Sequence, residues 1–172
     1  MQALKIIGLC IASDVGYGVL HDQVTAHVCI EYFTIGHPPV FDTDNPILLG
    51  FGWGVLATWW AGLLLGIPLA MVARMGARPK RSAPSLIRPI AGLLAVMAIA
   101  ALVAGIVGWI LASSGVVFLA GPITEQIPRQ RQVAFLVDLW AHCASYLVGF
   151  VGAVVVMVLV WRARGREGAK LV

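Results

Sequence analysis

Charged side chains are scarce in this sequence. Asp, Glu, Lys and Arg together make up 12% of the 172 residues, against roughly 25% in an average soluble domain. Hydrophobic residues make up 60% of the chain. This composition excludes a water-soluble globular domain and a disordered chain, because neither presents so much apolar surface to water. It is typical of a protein whose surface faces lipid.

Cysteine is also rare, and the short motifs of familiar metal and redox sites are missing. The three cysteines, Cys10, Cys29 and Cys143, are too few for a disulfide framework and include no CxxC pair. Cys29 and Cys143 are both predicted near the outer face, where a bridge is an alternative, but we expect free thiols. The sequence has no HExxH motif and no recognisable nucleophile motif. It therefore names no reaction, and whether the protein is an enzyme stays open.

Four long apolar runs predict the architecture. The hydrocarbon core of a bilayer takes about 20 helical residues to cross. Runs of this length cover approximately residues 3–20, 46–72, 89–112 and 133–161. Because no stretch is left over for a soluble domain, residues 1–172 are predicted to form a single integral membrane domain, an all-α bundle of four transmembrane helices. The first run has no convincing cleavage site, so we expect an uncleaved span.

The basic residues predict the orientation of this bundle. Ten of the twelve lie at the start of the chain, between the second and third runs, or in the tail that ends with Lys170, and only Arg129 and Arg131 lie elsewhere. Positive charges stay on the cytoplasmic side of short loops. Both termini are therefore predicted to be cytoplasmic. The net charge of +4 then reflects orientation and contact with anionic lipid, and we expect no nucleic-acid partner.

Histidines concentrate directly after the first span. The stretch YGVLHDQVTAHVCIEYFTIGHPP, residues 17–39, holds three of the four. No proline interrupts the chain between Ile6 and Thr34, so we predict that the first span continues as a polar helical extension on the outer side. This extension should either project from the membrane or bend at Gly16 and Gly18 to lie along its surface. Gly36, in the left-handed conformation, and Pro38 should then end it.

A second group of polar residues lies in the fourth span. Asp138 and His142 are four residues apart and share one helix face. Their predicted depth matches that of His21, and Asp14 lies on the same stripe of the first helix as His21, only deeper. We therefore predict that these four residues converge. They are the candidate catalytic residues, Asp14, His21, Asp138 and His142.

Imidazole and carboxylate groups of this kind are common ligands of divalent metal ions. The predicted metal ligands are His21, Asp138 and His142, with His27, Glu31 and His37 as the second choice. The same groups also suit a proton or solute path, since histidine titrates near neutral pH, or a hydrogen-bonded plug that fixes helix register. A further alternative is a non-catalytic subunit or assembly factor that presents residues 21–45 to a membrane or periplasmic partner.

The segment HDQVTAHVCIEYFTIGHPPVF, His21 to Phe41, resembles the signature segment of a family of small multi-pass membrane proteins that is described only as uncharacterised. These proteins are known mostly from bacterial genomes. The resemblance covers 21 residues, and beyond them only length and hydropathy agree. It implies a location in the bacterial inner membrane. It implies no activity, cofactor or catalytic residue.

Overall fold

The computed structural model describes residues 1–169, and these are largely helical, with no strand among them. Lys170, one of the basic residues of the tail, lies outside the described residues. Short 3-10 turns precede the third and fourth long helices, at Ala83–Leu86 and Arg129–Arg131. The α-helices are α1 Gln2–Val28, α2 Glu31–Thr34, α3 Pro46–Leu56, α4 Trp59–Arg74, α5 Ile87–Ser113, α6 Ile123–Gln126 and α7 Gln132–Gly168.

Four helical segments are long and apolar enough to cross a membrane: α1, α3 together with α4, α5 and α7. The protein is therefore a multi-pass membrane protein, and the predicted four-helix bundle is confirmed. Helix α7 has 37 residues. At about 1.5 Å per residue it is roughly 55 Å long, well beyond the ~30 Å of the hydrocarbon core. Its ends therefore extend into the interfacial layers.

The bundle consists of two closely packed helix pairs. Helix α1 lies along α3 and α4, and α5 lies along α7. Glycines allow the first pair to approach closely: a Cβ atom added to Gly54 would lie 2.5 Å from the backbone of Val19, and one added to Gly62 would lie 2.7 Å from Cα of Ile11. Small residues at helix contacts of this kind are a general means of packing within membranes.

The polar extension of the first span differs from the prediction. Helix α1 continues straight through Gly16 and Gly18 and ends at Val28, where Cys29 adopts an extended conformation with φ −149° and ψ 96°. The chain then folds back over the end of the bundle through the short helix α2. The side chains of Cys29 and Phe33 are buried there, packed with residues of α3 and α7. The chain therefore turns at Cys29, because burial of these apolar side chains outweighs continuation of the helix.

Two expectations about single residues are also corrected. Gly36 does not have a positive φ angle; the glycines that do are Gly76, Gly115 and Gly121. Pro68 does not end its helix, since α4 continues past it to Arg74. A proline removes one backbone hydrogen bond, and neighbouring helices compensate for this inside membranes. The interruption of the second span lies instead between α3 and α4, at Ala57 and Thr58.

Both chain ends lie at the same end of the bundle as the segment between α4 and α5. The Arg164 side chain is fully buried and donates hydrogen bonds to the backbone carbonyls of Val72, Met75, Arg78 and Pro79. These bonds satisfy carbonyl groups at the C-terminal end of α4 that the helix leaves free. The opposite end of the bundle carries residues 29–45 and 114–131.

Candidate functional site

Helices α1 and α7 bring two histidines together, as the sequence predicts. Nε2 of His21 lies 3.4 Å from Nδ1 of His142, and the two rings meet edge to face with centroids 4.4 Å apart. His142 is buried within the bundle, and His21 is partly buried beside it. Two residues that are 121 positions apart in sequence thus share one small polar site.

An acid completes the group, and this acid is Asp22. Its Oδ1 atom lies 3.2 Å from Nε2 of His142. One nitrogen or oxygen atom each from His21, Asp22 and His142 lie within 4.8 Å of one another. This separation, in a buried location, makes the three residues the candidate metal-binding group among the described residues.

Asp138 occupies a different position from the predicted one. Its backbone carbonyl, and not its carboxyl group, lies 3.0 Å from Nδ1 of His142. The side chain is buried, and its Oδ2 atom has no hydrogen-bond partner within residues 1–169. Residues four apart on a helix share a face, but here the imidazole turns back onto the helix backbone. The acid of the group is therefore Asp22, where the sequence analysis predicted Asp138.

A periodic row of residues in α1 carried the missing signal. Small or polar residues recur at intervals of four, and this spacing places them along one face of the helix: Cys10, Asp14, Gly18, Asp22 and Ala26. All but Asp14 are buried in the bundle. Asp22 had been assigned to the exposed outer segment because only the stripe through Asp14 and His21 was followed. The row of intervals of four would have placed it inside.

The contacts of His142 require a second positive charge or proton. Nδ1 faces the Asp138 carbonyl and Nε2 faces the Asp22 carboxylate, and both of these are hydrogen-bond acceptors. A neutral imidazole has only one N–H. If that hydrogen lies on Nδ1, the Nε2 lone pair faces Asp22, which is unfavourable in a buried site. Either a second proton on the ring or a cation bound at Nε2 resolves this conflict.

Aromatic and hydroxyl groups hold the two imidazoles in place. The ring of Tyr32 stacks on His142 with centroids 4.4 Å apart, and the ring of Tyr17 stacks on His21 at 5.7 Å. The Tyr17 hydroxyl lies 2.8 Å from Oγ of Ser145 on α7. These contacts limit the rotation of both histidines and cover the cluster with apolar surface.

Glu31, a second-choice ligand, is part of an ion pair. The Nε atom of Arg131 donates to both of its carboxylate oxygens, at 3.1 and 2.9 Å. Partial burial favours the neutral acid, but hydrogen bonds from its own backbone and from Arg131 outweigh this effect and lower the pKa of Glu31. The Cys29 thiol also donates to Glu31, at 3.3 Å. Burial, followed by this contact with Glu31, raises the pKa of the Cys29 thiol to about 12.

The other two second-choice histidines form separate contacts. Nδ1 of the exposed His27 lies 2.7 Å from the carbonyl oxygen of Gln23 in the preceding turn. Nδ1 of His37 lies 2.7 Å from the carbonyl oxygen of Tyr32, and its ring packs 4.7 Å from that of Trp53. The structure therefore does not assemble His27, Glu31 and His37 into one group. The three cysteines are unpaired, as predicted.

Asp14 lies outside the group of three. It is in α1 two helical turns away from His21, or roughly 10 Å along the axis. It lines the same cavity as His21 and Asp22. The predicted convergence of four residues is thus a pair of histidines with Asp22, a neighbouring Asp138 and a more distant Asp14.

The fold and site define a multi-pass helical membrane protein with a buried cluster of two histidines and an aspartate. No protein family, curated protein or solved structure matches the chain. Its function is therefore argued from the geometry of the site.

Proposed function

We propose that the protein binds one divalent transition-metal ion through His21, Asp22 and His142, on the outer side of a bacterial inner membrane. The observation that carries this proposal is the approach of three ligand atoms to within 4.8 Å of one another in a buried interface between α1 and α7. Neither the substrate nor a reaction is part of the proposal.

The distances support metal coordination. Zinc binds histidine nitrogen at about 2.0–2.1 Å, so two ligand atoms of a tetrahedral site lie roughly 3.3–3.4 Å apart. The separation of 3.2 Å between Nε2 of His142 and Oδ1 of Asp22 is close to this value. Only a small rotation of the His21 side chain is then needed to bring its nitrogen equally near.

The hydrogen bond behind His142 also supports a metal ligand. Metal-binding histidines generally donate their other ring N–H to a carbonyl or carboxylate group, which fixes the tautomer. The Asp138 carbonyl, 3.0 Å from Nδ1, is placed to accept such a bond. The lone pair of Nε2 then points toward Asp22, where a cation would remove the conflict between the two acceptors.

The chemistry of the ligands favours zinc or a similar ion over magnesium and calcium. Imidazole suits zinc, copper, nickel and iron, whereas magnesium and calcium prefer oxygen ligands. Three protein ligands also leave a fourth position of a tetrahedral ion open, as in zinc sites that exchange water or substrate.

The location follows from charge and from the resemblance. The end of the bundle that contains Arg164 and the segment between α4 and α5 carries the basic residues, so the positive-inside rule makes it cytoplasmic. Both termini are then cytoplasmic, and the cluster lies at the periplasmic end. The segment His21 to Phe41, with its likeness to bacterial membrane proteins, supports the inner membrane.

The positions of the histidines favour a site over the presentation of residues 21–45 to a partner. Presentation would require these side chains to point outward, but His21 contacts His142 and His37 packs on Trp53. Only His27 is exposed. One further candidate is supported by the same contacts: a protonated His142 paired with Asp22, which would hold the helices together without metal.

Metal analysis of the purified protein separates these functions. The protein, carrying a tag without histidine, is expected to retain about one zinc-class ion per chain after dialysis against metal-free buffer, as measured by inductively coupled plasma mass spectrometry. Asp22→Ala and His142→Ala should lose the ion, and the matched control His27→Ala should keep it. A metal-free wild-type protein that also fails to take up added zinc would refute the proposal and leave the ion pair.

A further inference from the structure

Asp14 is a second acid inside the bundle, and the metal proposal does not use it. It lies in the membrane-spanning helix α1 and is only partly buried. Within residues 1–169 its carboxyl group makes no salt bridge and receives no side-chain hydrogen bond. Acids at this depth are costly and generally face a cavity or a partner of opposite charge. An acid without such a partner indicates that something outside the chain interacts with it.

A cavity of about 500 Å³ lies beside Asp14, between α1, α4, α5 and α7. Its volume is in the range of small-molecule binding sites. His21 and Asp22 line it near one end, and much of the remaining wall is aromatic, formed by Tyr17, Trp60, Tyr146 and Phe150. The side chains of Trp60 and Phe150 are 52% and 61% exposed on the protein surface, so the cavity opens sideways toward lipid.

The charges around the cavity define the class of ligand. Its lining includes Asp14 and Asp22 but neither lysine nor arginine. An anion would therefore be repelled, and a neutral lipid chain would leave Asp14 without a partner. A cation is attracted both by the carboxylate and by the faces of the aromatic rings. Because the walls are otherwise apolar and the opening faces lipid, this cation must itself be largely apolar.

We propose that this cavity is a binding site for a hydrophobic organic cation, with its charge next to Asp14 and its apolar groups against Tyr17, Trp60 and Tyr146. The site is distinct from the metal-binding group, since His142 does not line the cavity and Asp14 is two helical turns from His21. The inference does not rest on the proposed metal binding.

Titration with tetraphenylphosphonium tests the proposal on the whole chain in detergent, with calorimetry or quenching of tryptophan fluorescence as the readout. The wild-type protein should bind this cation saturably. Asp14→Asn, which keeps the shape of the side chain and removes its charge, should weaken binding by about tenfold or more. Asp14→Glu should restore most of the affinity. The matched control is Asp44→Asn, an exposed loop acid, which should bind as the wild type does.

Two further measurements complete the test. Triphenylphosphine oxide, which is similarly apolar but uncharged, should not compete with the cation. Equal binding by wild type and Asp14→Asn, or no saturable binding by the wild type, would overturn the proposal. The second result together with elution as a dimer would show that another copy of the chain covers the cavity. The metal content of the same Asp14→Asn preparation reports separately on the His21, Asp22 and His142 group.

Discussion

The Nε2 atom of His142 lies 3.2 Å from Oδ1 of Asp22, and both side chains are at least nine-tenths buried, with residue exposures of 4% and 5%. The contact crosses from α7 to α1, which belong to different closely packed helix pairs. Buried polar groups are costly unless they are satisfied, so each member of this pair depends on the other. The metal-free protein can test this dependence directly.

Energetic coupling between Asp22 and His142 is the first prediction. Interhelical hydrogen bonds in membranes contribute about 0.6 kcal/mol on average and at most about 1.7 kcal/mol. In metal-free protein, Asp22→Ala and His142→Ala should each lower the free energy of unfolding by roughly 1 to 2 kcal/mol, since each leaves a buried partner unsatisfied. The double variant should lose less than the sum, by about 1 kcal/mol. Unfolding in increasing sodium dodecyl sulfate measures all four proteins, and strictly additive losses would contradict the coupling.

The ion pair of Glu31 and Arg131 gives a prediction about pH. The pKa of Glu31 is lowered in the folded protein, so the pair stabilises the fold fully above the unfolded-state pKa. This stabilisation is lost as the pH falls through the lower, folded-state pKa. The melting temperature of the wild type should therefore exceed that of Glu31→Gln at neutral pH, and the difference should disappear by about pH 3. Glu125→Gln, at an exposed position, serves as the control and should match the wild type throughout.

The close contact of α1 with α3 predicts the effect of a single methyl group. A Cβ atom on Gly54 would lie 2.5 Å from backbone atoms of Val19, which cannot move as a flexible side chain can. Gly54→Ala should therefore destabilise the bundle by about 1 to 3 kcal/mol. Gly16→Ala is the matched control, because nothing lies within 4 Å of its Cβ position. Equal stability of the two variants in the same unfolding assay would show that the two helices are not packed this closely.

Reporter fusions test the orientation. If the positive-inside rule applies, green fluorescent protein fused after the last residue should fluoresce, because it folds in the cytoplasm. Alkaline phosphatase inserted next to Asp42 should be active, because it requires the periplasm. Phosphatase activity from a C-terminal fusion would reverse the topology and place the metal-binding group at the cytoplasmic end.

The transmembrane architecture could be predicted because hydropathy and helix length determine it locally. The meeting of His21 and His142 could also be predicted, since depth in the membrane and position on a helix face are both readable from the sequence. Asp22 was missed because two rows of residues run along α1 and the sequence does not rank them. Only the packing of Gly18 against α3 and α4 settles which way the helix is turned.

The fold-back at Cys29 could not be predicted, because distant residues cause it. The carbonyl oxygen of Val28, at the end of α1, accepts a hydrogen bond from Nη2 of Arg131 at 3.1 Å, and Arg131 also holds Glu31. These partners are separated by about one hundred residues of sequence. No local pattern reports such a contact, so a continuous helix was the natural expectation.

The pairing of the helices has a consequence for biogenesis. Helices α1, α3 and α4 form one hairpin that emerges from the ribosome first, and α5 and α7 form the second. His21 and Asp22 belong to the first hairpin and His142 to the second, so the proposed binding group does not exist until the two hairpins have associated. Acquisition of the metal is then necessarily a late event, after the insertion of the whole chain, and a nascent chain arrested before α7 would have no site to fill.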